Sequence, residues 1–430
     1  MPLRRSQIII IGIVGFIVVA FALLYFGIIP GFKSVEKVNP VTLNFWGVGD
    51  DRTAFSDIIY DYQQLNPQVK INYKQLSEQG YEQELLNAMA AKEPIDIIMF
   101  QNTWLPKHFD KIIPVSQMQF SFTNFQNLFP TVAIQDFAPD QIIYALPLYI
   151  DSLAMIYNRN IFDSKAIAIP PRNWSDFQAV VQKLAARPAG RGSPIAVAMG
   201  GTNKSIANAT DLLSLLFLQS GSTIVDPQFK QANFSINGDN VVSFYTQFAN
   251  PKSPSYTWKD SYPYSIDSFA AGNTAIIFGY QDQLKKIEER SPFISYGVAP
   301  VPQPTASAQT VNWAKYRGLA VAGNSSNPEE AWKFILFLTT NATESEKYLK
   351  RTGRAPALRS LINKYLDDQK LGVFARQALS ARSYPQVDDI AIGMIFSDMI
   401  NSVITNQLSP YSAVIKAEGE MNQLISRRKR

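Results

Sequence analysis

Five aromatic residues and a matching set of carboxylates and amides fall where the sequence pattern ends a strand and begins a loop. The rings are Trp46, Trp104, Tyr149, Tyr280 and Trp313, and beside them stand Asp51, Gln101, Asn102, Asp151 and Asp282. A flat ring stacks on a face of C–H groups, while carboxylates and amides accept from or donate to hydroxyls in pairs. Together they suit a small polar ligand with one apolar face, as a sugar has, held in a concave site. Each ring alone reads equally well as packing at the rim of a core, because aromatics are large and seldom fully buried.

Catalytic chemistry is less well provided for. Glycoside hydrolysis needs two carboxyl groups, one acid and one base or nucleophile. The visible pairs are Asp50-Asp51 and Asp388-Asp389. Consecutive side chains on a strand face opposite ways, so each pair is expected to supply one loop cap and one ligand contact. No G-x-S-x-G elbow, P-loop or dinucleotide fingerprint occurs, and Gly190-Arg191-Gly192-Ser193 lacks the Lys-Ser/Thr that phosphate binding uses. Cysteine is absent and His108 is the single histidine, which removes disulfides, thiolate sites and imidazole clusters. No catalytic residue, metal site or cofactor is expected, and His108 reads as an exposed loop or helix residue.

The elements that must position these groups centre on residues 145–160, ALPLYIDSLAMIYNRN. Leu146, Leu148, Ile150, Leu153, Met155 and Ile156 fill a core on both faces of an extended segment. Tyr149 and Asp151 are left to point into something polar. A plainer reading of the same stretch is a core strand whose Asp caps a neighbouring helix. Before it the pattern alternates: strand 41–46, a helix with Phe55, Ile58, Ile59, Tyr62 and Leu65 on one face, strand 69–73, helix 81–92 and strand 95–100. Such alternation builds a parallel sheet with helices on both faces, and ligands then collect at the carboxyl ends of its strands. From residue 328 onward the chain reads as nearly all helix.

A length of 430 residues exceeds what one core fills, so two lobes are expected. The net charge is +5, but Arg4, Arg5 and the tail Arg427, Arg428, Lys429 and Arg430 contribute six positive charges, which leaves the rest of the chain at −1. With no basic stripe, no nucleic-acid partner is expected. Residues 8–29 form an uninterrupted apolar run behind Arg4 and Arg5, long enough for one transmembrane helix. The expectation is an uncleaved N-terminal membrane anchor over residues 1–30 and a polar tether over 31–40. The body then stands on the extracytoplasmic side, and a cleaved signal peptide is the competing reading.

The ordered series of a strand ending in Trp-Gly, NP before a strand, ALPLYIDSLAMIYNRNIF, PPRNWSDF, DSFAAGNTAIIF, YGVAPVP, NPEEAWKFILFL and RTGRAPAL resembles the extracellular solute-binding proteins of ABC importers. It is most similar to the branch that binds oligosaccharides and maltose-like ligands. The likeness spans residues 41 to about 425. It implies a two-lobe periplasmic-binding-protein-like α/β fold of type II, in which each lobe is a mixed, mostly parallel sheet flanked by helices. Lobe 1 would comprise 41–150 with 275–323, and lobe 2 would comprise 151–274 with 324–430. Crossings are expected near 149–151, 269–274 and 323–328. By the resemblance Asp151 takes the place of an acidic ligand contact, and Tyr280–Asp282 take the place of a stacking Trp that this sequence lacks.

The function implied is capture of a small polar ligand, most simply a sugar or oligosaccharide, by a monomer that hands it to the transmembrane subunits of an ABC permease. The ligand-binding residues expected are Trp46, Asp51, Gln101, Trp104, Tyr149, Asp151, Tyr280, Asp282 and Trp313. Two other readings remain open from the sequence: an anchored sensor or adhesion ectodomain of the same fold, and an extracytoplasmic carbohydrate-active enzyme.

Overall fold

Alternation in VTLNFWGV and VKINYKQL sets two neighbouring strands, β1 (Val41–Val48) and β2 (Val69–Leu76), parallel and in register from Val41 with Val69 to Val48 with Leu76. β3 (Ile97–Gln101) is buried at every position, as a central strand with four consecutive apolar residues is expected to be. The two-residue strands β4 (Ile112–Ile113) and β5 (Leu146–Pro147) follow. Next come β6 (Ala154–Asn158), β7 (Ile195–Val197), a hairpin of β8 (Thr223–Val225) and β9 (Ala232–Asn233), β10 (Thr274–Gly279) and β11 (Tyr296–Ala299). β12 (Asn312–Trp313), β13 (Arg317–Ala322) and β14 (Ala381–Arg382) complete the strands. The structure, a computed structural model, describes residues 5–25, 40–185, 194–226, 229–305 and 309–428. The tether, Gly190 to Ser193, part of the 305–311 loop and the last two tail residues lie outside them.

Two main sheets result, ordered β2-β1-β3-β13-β4 with β5 against β13, and β11-β6-β10-β7. Both are mixed: β13 runs antiparallel to β3, and β10 is parallel to β7 but antiparallel to β6. Each sheet has its own core, around Phe45, Phe55, Phe100 and Trp332 in one lobe and Phe177, Phe217, Trp258 and Phe396 in the other. The two-lobed α/β architecture is therefore as expected. Two glycines make local demands. Gly49, at φ 80°, turns the chain off the end of β1. At Gly318 a Cβ would stand 2.6 Å from the Leu146 carbonyl oxygen, so only glycine lets β5 lie against β13.

The expected lobe boundaries need correction. Residues 275–299 belong to lobe 2, because β10 and β11 both pair with β6. The return to lobe 1 runs through 300–316 rather than 269–274. The helices Pro328–Thr340, Ala342–Thr352 and Arg359–Tyr365 stay in lobe 1, where Trp332, Ile335, Tyr348 and Ile362 pack on the sheet that β13 completes. The last crossing comes at helix Gly372–Ala378, which gives Phe374 to one core and Ala375 to the other. A helix leaving β13 covers the nearest apolar sheet face, and that face is in lobe 1. Helices Asp389–Ile404 and Pro410–Arg428 then finish lobe 2.

The N-terminal run is helical from Arg5 to Tyr25, and its side chains are exposed, Ile9 at 62% and Phe16 at 76%. Residues 26–29 of the predicted span lie outside the described residues. Among the described residues no helix is long and apolar enough to cross a membrane, so the structure does not establish the expected transmembrane helix.

Candidate ligand site

The turn after β1, the crossover through Tyr149–Asp151 and the start of β13 face the N-terminal end of helix Gln281–Arg290 across a crevice of about 620 Å³. Its lobe 1 wall carries two guanidinium groups. Arg354 pairs with buried Asp50 at 3.1 Å and lies over the Tyr149 ring at 4.3 Å, and Asp50 also accepts from the Tyr348 hydroxyl at 2.6 Å. Arg317 pairs with Glu78 at the rim. On the facing wall the Tyr280 hydroxyl donates to Asp211 at 2.8 Å, and Lys315 reaches the same carboxylate at 3.1 Å.

Asp151 stands between the walls and is 3% exposed. It accepts from its neighbour Ser152 N at 2.8 Å and from Gln281 N at 2.9 Å, which caps helix Gln281–Arg290 from the crossover. The plainer reading of that stretch is thus also true of it. Burial, and secondarily the negative charge of Asp282, raise its pKa to about 8. At neutral pH the group is protonated and can donate as well as accept.

Beyond the Lys315–Asp211 bridge the crevice continues into a second space of about 380 Å³, and the two share Gln101 and Lys315. This end has a different lining: Trp313, Tyr384, Ile390, Met394 and Phe396, with Thr210 and Asp389 among the polar groups. Trp313 and Tyr384 sit ring to ring at 5.5 Å, while Ile390 and Met394 are exposed at the mouth. Among the described residues, three buried polar atoms around the crevice have no partner: Gln281 Oε1, Trp313 Nε1 and Arg317 Nε.

Of the nine expected contacts, Asp51, Gln101, Tyr149, Asp151, Tyr280 and Asp282 line the first space, and Gln101 and Trp313 the second. Asp51 is exposed and caps the turn through Thr53 N at 2.7 Å; the Thr53 hydroxyl holds its carboxyl below the usual range. Trp46 and Trp104 line neither space. β1 runs on to Val48, so Trp46 is inside a strand and packs under Lys74 at 3.8 Å. Trp104 precedes the short helix Leu105–His108 and stacks on Tyr81 at 5.8 Å. Asn102 donates to buried Asp136 at 3.0 Å behind the crevice. His108 is buried rather than exposed, 2.6 Å from Glu82, and Lys107 ties Glu82 to Asp388 at 2.7 and 2.9 Å. Among the described residues no cluster of His, Cys, Asp or Glu could hold a metal ion.

Sequence reasoning missed Arg354, Arg317, Tyr348, Asp211 and the apolar pair Ile390 and Met394. Arg354 lay inside RTGRAPAL, read only as a turn, and Arg317 directly precedes the strand read as 318–321. Ile390 and Met394, four apart on one helix face, look like core positions in sequence.

A model of the family described as bacterial extracellular solute-binding protein matches residues 47–344, more than half of the chain. The chain belongs to this family. Among relatives of this solute-binding protein, one in Brucella abortus (strain 2308), named a binding protein, is 21% identical over 388 residues, 87% of this chain and 90% of that one. The maltotriose-binding protein of Pyrococcus abyssi (strain GE5 / Orsay) is 21% identical over 318 residues, 72% of this chain and 64% of that protein. The cyclic α-maltosyl-1,6-maltose binding protein of Arthrobacter globiformis shares the fold at a TM-score of 0.75 and 16% identity, covering 90% of this chain and 100% of that one.

Proposed function

We propose that this solute-binding protein captures a saccharide in the crevice between its lobes and delivers it to an ABC permease, without chemical change to the ligand. The observation that carries the reading is the crevice's two-part lining. Charged and amide groups at one end suit hydroxyls, and Trp313, Tyr384, Ile390 and Met394 at the other suit a face of C–H groups. Relatives named for maltotriose and for a cyclic maltosyl-maltose add support. Contacts from both walls form only when the lobes close, so ligand shifts the population toward closure.

The six predicted contacts Asp51, Gln101, Tyr149, Asp151, Tyr280 and Asp282, with Trp313 at the far end, are proposed ligand contacts. Arg354 and Arg317 join them. Trp46 and Trp104 are proposed as core residues. The helix Arg5–Tyr25 is proposed as part of an anchor, because its large apolar side chains from Ile9 to Val19, and Phe21, are exposed. A protein with residues 8–29 removed would then leave the membrane fraction on cell fractionation.

The test is a thermal-shift screen of the protein against saccharides, polyols and peptides. A saccharide at 100 times its dissociation constant adds about 2.7 kcal/mol of stability. Stabilisation by a polyol or peptide, with none by any saccharide, would overturn the reading.

A further inference from the structure

The two guanidinium groups on the lobe 1 wall differ in how their charge is met. The side chains of Arg317 and Arg354 are 15% and 13% exposed. Arg354 has its countercharge inside with it, since Asp50 is 8% exposed and bonded to it. Arg317 does not. Its ion-pair partner Glu78 is 62% exposed, out at the rim, and accepts through Nη1 and Nη2, while Nε is buried with no partner.

The other carboxylates of the crevice do not make up the difference. Asp151 is turned to Gln281 N and Ser152 N, and burial disfavours its charged form. Asp211 is taken by Lys315 and Tyr280. Asp282 pairs with Lys286 at 3.4 Å near the surface. Among the described residues the rim group Glu78 is thus the one carboxylate bonded to Arg317, and no buried carboxylate reaches it. A buried cation without a buried countercharge is costly. A planar carboxylate is the group that a guanidinium receives with two parallel bonds.

We infer that the preferred ligand is an acidic saccharide, one whose sugar carries a carboxylate, and that this carboxylate is received by Arg317. The inference rests on the saccharide reading above and narrows it. It makes Arg317 the residue that separates acidic from neutral sugars, and Glu78 a rim group that shares the guanidinium until ligand arrives.

The experiment is calorimetric titration of the full chain in detergent micelles at pH 7 with matched pairs: galacturonate and galactose, glucuronate and glucose, and digalacturonate against maltose. The acidic member is expected to bind at least about ten-fold tighter, and to lose that advantage as salt is raised. Arg317→Gln is expected to abolish the preference, bringing the acidic member down to the affinity of its neutral partner. Glu78→Gln, at an exposed position that the fold does not need, is expected to tighten binding of the acid several-fold. Equal or tighter binding of the neutral members overturns the inference and leaves the saccharide reading intact. Tighter binding of the acids that survives Arg317→Gln and does not respond to Glu78→Gln also overturns it. Absence of binding by both members of every pair overturns both readings together.

Discussion

The two ends of the crevice are built on opposite principles. At the Arg354 end, polar groups bond mainly to one another: Asp50 holds Arg354 and Tyr348, and Asp151 holds the start of a helix. At the Ile390 end, apolar side chains stand at the mouth with nothing of the chain covering them. One end is bonded into the fold, whereas the other leaves Ile390 and Met394 exposed. The comparison teaches that a site residue's effect on stability and its effect on binding need not run together.

The sharpest way to break the comparison is Arg354→Ala. Removing one partner of a buried ion pair costs about 3–5 kcal/mol, and a lower denaturant midpoint with unchanged slope would record it. If instead the variant unfolds like the parent, the charged end is not structural. Next in size is the pH dependence. The Asp151 carboxyl is raised from an ordinary 3.8 to about 8 and that of Asp136 to about 6, both by burial. Between those limits the unfolded chain has lost protons that the folded chain keeps, so stability is fully present below about pH 4 and falls as pH rises. The slope reaches up to about 1.4 kcal/mol per unit for each group, steeper below pH 6 and ending above pH 8. Asp151→Asn should remove the slope between pH 6 and 8 in urea titrations at fixed pH.

At the other end, Ile390→Ser with Met394→Ala should leave the unfolding midpoint within about 0.5 kcal/mol of the parent, because both side chains are exposed. The same double variant should weaken saccharide binding by about ten-fold, read by calorimetry. A loss of stability without loss of affinity would reverse the assignment of the two ends. Smallest of all is Lys107→Ala, which opens the half-exposed pair to Asp388 across the lobes. It should cost under about 1 kcal/mol and fade in high salt.

Much of this architecture is legible in the sequence. The apolar IIMF run and the alternation of β1 and β2 reveal strands because burial on two faces or on one leaves a pattern in neighbouring residues. Asp151 is legible for a related reason, a carboxylate interrupting a buried apolar stretch. What is not legible is which lobe a later element joins. β10 reads as a strand wherever it lies, and only its pairing with β6 puts it in lobe 2. Nor does a turn motif show that Arg354 folds back 304 positions onto Asp50, or that Trp46 faces the core once β1 continues for two more residues. Local pattern reports burial and period, and sites are made by distant pairings.

The most direct measurement of the central claim is a structure of the protein with a saccharide that stabilises it. The account predicts density between Arg317 and Arg354 on one side and Ile390 and Met394 on the other, with contacts from both lobes. Density instead in the separate 760 Å³ hollow bordered by Phe109, Tyr144, Ile224 and Arg382, with the crevice at Asp151 left open, would contradict it.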